Sequence, residues 1–253
     1  MPTTFSEHPF SEHPFSEQPF SEQLWAAGDA VYREILDHPF LRGLTDGTLP
    51  HSAFRHFVVQ DSYYLRDYAR ALAVCAAKAP TEDDVRAFAS DAVGALAAEQ
   101  EMHAEFMAAL GDAGEVGESE VGEVGEGAGG GSKLADGALP TTRAYTSYLL
   151  ATVYSGSFAE GLAAVLPCYW IYARVGEELL AKSSPDPLYA RWIASYGDEA
   201  FQSVVRRVLA LADRLGQELS VAERQRSASH FAVTARYEWM FWDAAWRGES
   251  WPV

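Results

Sequence analysis

The chain has 253 residues and 48% hydrophobic content, enough for a sizeable core and near the upper limit of what one core supports. Its formal charge of −17 is concentrated in two places: residues 1–23 hold four glutamates and no base, and residues 111–140 hold seven acids against Lys133, which leaves about −7 for the body. An acidic body without a basic stripe argues against binding nucleic acid, and two cysteines are too few for a disulfide framework. The uncharged run Gly161–Ala173 is too short to span a membrane. A single domain with appendages and reduced thiols in the cytoplasm is the expected organisation. The N-terminus has neither the basic cluster nor the apolar core of a secretory signal.

Residues 1–20 repeat with period five as FSEHP, FSEHP and FSEQP, and prolines at 9, 14 and 19 forbid a regular helix, so a disordered tail is expected. From residue 21 to the end the pattern is helical. Leu24, Ala27, Val31, Ile35 and Leu36 share one face of a first helix that ends before His38-Pro39. A second begins around Thr48-Leu49-Pro50 and runs to Ala79, and Thr81 with three acids behind it caps a third that stops at Gly111. Residues 111–139 contain ten glycines and read as a flexible acidic insertion; deletion of 113–134 should leave thermal stability unchanged, and marked destabilisation would show that it packs. Pro140 restarts helix, with a break near Ser155-Gly156-Ser157 and another over 183–187. Asp198 opens a helix to Gly216, and Ser220 with Glu223 forms the capping box of the last one, ending near Trp246. No alternating strand pattern is present, so the fold class is all-α, a bundle of about eight or nine helices.

Three residues in this pattern carry chemistry. Cys168 follows Pro167 in the aromatic stretch 145–172, where the proline should kink the helix, and Tyr172 lies one turn on along the same face. A lone thiol there is either core filling or a nucleophile. Asp61, with Tyr64 and Tyr68 on its helical face, either reads a flat heteroaromatic ligand or pairs with Arg66 or Arg70. Glu238, among Tyr237, Trp239, Phe241 and Trp242, is either a proton donor and acceptor of raised pKa or half of a salt bridge. Cys75, in ALAVCAAKA, is core. Glu99 and His103 are spaced as two ligands of a metal site, but the second Glu-x-x-His helix that a di-iron site needs is missing. Hydrolase-elbow, phosphate-loop and dinucleotide motifs are absent.

The blocks HPFLRGLTDGTLP, FVVQDSYYL, YTSYLLATVYSGSFAEGLAAVLPCYWIY, ASYGDEAF and YEWMFWDAAW, in that order, resemble the TenA family of thiaminase II and aminopyrimidine aminohydrolases, from about Phe20 to Trp246. The resemblance implies a haem-oxygenase-like helical fold and the cysteine-containing branch. It makes Cys168 the nucleophile, Glu238 the acid/base, Asp61 the carboxylate that anchors the aminopyrimidine, and Tyr64, Tyr145, Tyr172 and Tyr196 the pocket lining. It further implies hydrolysis of 4-amino-5-aminomethyl-2-methylpyrimidine or thiamin in thiamin salvage, no metal or organic cofactor, and a homotetramer. The rival readings are a pyrimidine-binding regulator without activity, a haem or di-iron oxygenase on the same fold, and a helical protein with no site.

Overall fold

The computed structural model describes residues 18–116 and 137–253. The repeats up to residue 17 and residues 117–136 of the insertion expected over 111–139 lie outside the described residues, as do the side chains of Glu99 and His103. The ends of that insertion are not free loop, since 111–116 continue a helix and Leu139 is buried with its N–H donating to Gln60 at 2.9 Å. Among the described residues there are nine helices and no strand: α1 (Phe20–Leu36), α2 (Pro39–Asp46), α3 (His51–Lys78), α4 (Glu82–Val116), α5 (Pro140–Ser155), α6 (Phe158–Leu180), α7 (Pro187–Gly197), α8 (Glu199–Gly216) and α9 (Val221–Arg247).

Local chemistry explains most boundaries. Ser157 and Ser220 each accept a bond from the amide three residues on while Glu160 and Glu223 reach back, so α6 and α9 both begin on a full capping box. Asp198 and Thr81 cap α8 and α4 through Ala200 N–H (2.8 Å) and Asp84 N–H (3.1 Å). Three points differ from the sequence reading, the first being α7, which starts at once after the 183–187 break because Pro187 takes the first helical position and the Asp186 carboxylate accepts from Leu188 N–H at 2.8 Å. The residues after His38-Pro39 form α2 at once, because Pro39 occupies the first helical position, where a missing N–H does no harm, and the His38 ring accepts from Phe40 N–H. The helix expected to stop at Gly111 continues to Val116; an interior glycine weakens a helix by only about 1 kcal/mol, and no proline follows to end it.

α6 is the central element. Fifteen of its 23 residues are buried, on every face, as expected of a helix surrounded by others rather than lying on a surface. Pro167 sits inside it without ending it, and beside the proline the Tyr68 hydroxyl donates to the Val165 carbonyl at 2.9 Å. α3, α5, α7, α8 and α9 pack around α6. α7 comes especially close: a Cβ on Gly176 would lie 2.5 Å from the Tyr196 carbonyl carbon, so only glycine allows the approach, and Gln202 ties both helices by donating to the Ala173 and Tyr196 carbonyls. No described helix is long and apolar enough to cross a membrane.

Candidate active site

Five helices bring the sequence-predicted residues together. Asp61, Tyr64 and Tyr68 follow one another at helical spacing on α3, and Cys168 and Tyr172 do so on α6. α7 brings Tyr196, α5 Tyr145 and α9 Glu238. Asp61, Tyr68, Cys168, Tyr172 and Tyr196 line one cavity of about 480 Å³. The lining is completed by Ser90, Asp91, Gly94 and Ala95 of α4, of which Ser90 and Gly94 are exposed, and by Phe201 and Val204 of α8. Tyr172 packs between Tyr196 (ring centroids 4.9 Å) and Trp242 (5.0 Å), offering the aromatic surface that a flat ligand needs.

Tyr64, Tyr145 and Glu238 do not line this cavity; they form a buried layer beside the thiol. Glu238 is 1% exposed, and the Tyr145 hydroxyl donates to its Oε1 at 2.6 Å. Burial pushes its carboxyl up to about 8; the Tyr145 bond works against that rise and the Asp61 charge adds to it. Its hydrogen-bond partner is therefore a phenol, and the salt-bridge alternative gives way to a carboxyl poised near neutrality. Arg70, one alternative partner for Asp61, is bonded to Asp67 instead.

Cys168 is half-buried with its thiol at the cavity wall. Burial raises its pKa well above the ordinary thiol value, the Glu238 charge raises it further, and the Tyr64 and Tyr68 hydroxyls partly offset this. At rest it is a neutral thiol, so any nucleophilic role requires a neighbour to take its proton. Cys75 is buried core, its thiol pushed up to about 12 by burial. The Tyr64, Tyr145, Tyr172 and Tyr196 phenols are all raised well above 10 by burial, so they stay protonated as hydrogen-bond donors. The Tyr64 hydroxyl makes no hydrogen bond of good geometry, although it lies near enough to Tyr145 and Cys168 to influence both; the Trp242 indole N–H is also buried and unpartnered. Buried donors of this kind call for a ligand or a water.

Two groups were not assigned a role from sequence. Tyr68, visible as a neighbour of Asp61, lines the cavity and sits beside the thiol. Asp91 accepts from the Tyr169 hydroxyl at 2.8 Å and from Arg207 Nη2 at 2.7 Å to each oxygen, joining α4, α6 and α8. Asp91 sits in an ordinary amphipathic helix and carries no local signal of this. Among the described residues no group of three or more His, Cys, Asp or Glu side chains could hold a metal ion.

The nine-helix arrangement is a haem-oxygenase-like fold. A domain of unknown function from Shewanella denitrificans OS217 with that fold superposes with a TM-score of 0.62, covering 90% of this chain and 92% of its own at 14% identity. A TenA homologue from P. horikoshii OT3 superposes with a TM-score of 0.75 at 27% identity, covering 91% of this chain and all of its own. The sequence matches the TENA/THI-4/PQQC family over residues 25–118 and 132–248, and the chain belongs to that family. A curated relative, the aminopyrimidine aminohydrolase of Bacillus subtilis strain 168, is 37% identical over 214 residues, which are 85% of this chain and 84% of the relative. The chain is accordingly an enzyme of the hydrolase class.

Proposed function

We propose that the protein is an aminopyrimidine aminohydrolase of thiamin salvage, converting 4-amino-5-aminomethyl-2-methylpyrimidine to the hydroxymethyl pyrimidine through a covalent adduct on Cys168, and that it also cleaves thiamin. The observation that carries the reading is the meeting of Cys168, Asp61, Tyr172 and Tyr196 at one cavity, with a carboxyl of pKa about 8 beside the thiol. Asp61 reads the amino and ring-nitrogen edge of the pyrimidine, and the tyrosine rings pack on its face.

The protons balance if the cycle begins with the Cys168 thiol and the Glu238 carboxylate. Glu238 takes the thiol proton as sulfur bonds to a ring carbon and an electron pair moves onto a ring nitrogen. That pair then expels the exocyclic nitrogen, which leaves with the C–N electrons and the proton returned by Glu238. Water adds to the exocyclic carbon and gives its proton to Glu238; the C–S bond breaks, the ring becomes aromatic again, and the sulfur recovers the proton. No external oxidant or reductant is required. A group titrating near 8 serves both directions of transfer at neutral pH, a contribution of about 10²–10⁴-fold.

A cytoplasmic location and a tetrameric assembly belong to the same reading, the latter testable by light scattering of the eluting protein. The decisive experiment is incubation with both substrates and identification of the products, using unaltered protein and Cys168→Ser. Turnover by the unaltered protein, abolished in a Cys168→Ser variant that still binds the hydroxymethyl pyrimidine, is expected. A fully active Cys168→Ser protein would end the covalent mechanism.

A further inference from the structure

The groups assigned to pyrimidine recognition sit on α3, α6 and α7, yet the cavity extends past them to α4. Its volume of about 480 Å³ falls within the roughly 300–1,000 Å³ of pockets that enclose drug-sized ligands, more room than one small ring needs. On the α4 wall, Ser90, Asp91, Gly94 and Ala95 recur at helical spacing on one face. The chemistry described above gives none of them a task. A Cβ built on Gly94 meets no other atom within 4 Å, so the space beside that residue is open. Among the described residues no Lys, Arg or His lines the cavity, and the carboxylate of Asp91 is held at the wall by Tyr169 and Arg207.

Resting on the reading of the site as a pyrimidine C–N hydrolase, we propose that this face of α4 is the leaving-group subsite and that residue 94 sets the size of group it admits. Glycine at this position opens the site to pyrimidines whose methylene carries a heteroaromatic cation, the thiazolium of thiamin being the available example, as well as to the amine. In both cases the C–N bond breaks with its electron pair leaving on nitrogen, and water supplies the hydroxyl. The thiazolium departs as a neutral thiazole without taking a proton, so the proton that Glu238 took from the thiol is released to solvent before water adds, whereas the amine carries that proton away.

The test is Gly94→Leu, with Gly94→Ala as the small control and Gly94→Met as an unbranched second variant. All three replace glycine within a helix by a better helix former, so the melting temperature should not fall. Gly94→Leu and Gly94→Met should lose about tenfold or more in kcat/KM for thiamin while staying within about threefold for the aminomethyl pyrimidine, and Gly94→Ala should change neither much. Equal losses for the two substrates, or full thiamin turnover by the folded bulky variants, would overturn the assignment. Calorimetric titration with thiamin and the hydroxymethyl pyrimidine separates this from the function on which it rests. Selective loss of thiamin binding in the bulky variants supports the subsite even where hydrolysis is absent; failure of thiamin alone to bind the unaltered protein overturns the subsite, and failure of both compounds overturns the function as well.

Discussion

Buried and bonded to the Tyr145 hydroxyl, Glu238 keeps its proton up to about pH 8, where an exposed carboxyl would lose it near 4.5. For stability the sign is unfavourable. Below about 4.5 the folded and unfolded chains both hold the proton; between about 4.5 and 8 only the folded chain does, so stability is progressively lost as pH rises, on the order of a few kcal/mol by pH 8. Glu238→Gln should therefore melt higher than the unaltered protein at pH 8, and the gain should shrink towards pH 5. A variant no more stable at pH 8 would show that the carboxyl ionises freely. For activity the same group should give kcat/KM an acid limb near pH 8, since the cycle begins with Glu238 ionised. Tyr145→Phe removes the bond that lowers this pKa and should move the limb upward, which a pH–rate profile measures directly.

At the scale of elements, two glycines in different helices should respond oppositely to the same change. Gly176→Ala places a methyl group 2.5 Å from the Tyr196 backbone, so α7 must move away from α6, at about 1–3 kcal/mol for overpacking. Tyr196 would shift from its 4.9 Å contact with Tyr172, and KM should rise with the fall in melting temperature. Gly94→Ala enters open space and should not destabilise. The starts of α6 and α9 are set by their own first turns, and Ser157→Ala should lower stability by about 0.5–2 kcal/mol through loss of the capping box, with little effect on the site.

Across the whole molecule the cavity is bounded by five helices drawn from residues 61 to 204, so a ligand seated in it holds together segments that separate on unfolding. At about one hundred times its Kd, a ligand that binds only the folded chain adds about 2.7 kcal/mol, or about 5–10 °C in Tm for a chain of this size. A hydroxymethyl pyrimidine that leaves Tm unchanged at saturation would argue against binding at this cavity.

Much of the fold was legible because helix boundaries depend on a few neighbouring residues. Asp198, Ser220 with Glu223, and the 155–157 break were readable for that reason, whereas α2 and α7 were missed because their opening prolines read equally well as breaks. Asp61, Cys168 and Glu238 stood out by their aromatic surroundings, and family resemblance supplied their roles. By itself the sequence determined the all-helical class, most of the helices, and which side chains share a face, since these follow from contacts within a turn. Only the tertiary structure decided that the Cys168 thiol lies beside Glu238, that Glu238 is excluded from water and so titrates near 8, and that Asp91 joins α4 to α6 and α8 at an open wall. Each depends on residues far apart in the chain packing together, and burial, which sets these pKa values, is a property of the assembled core rather than of any segment.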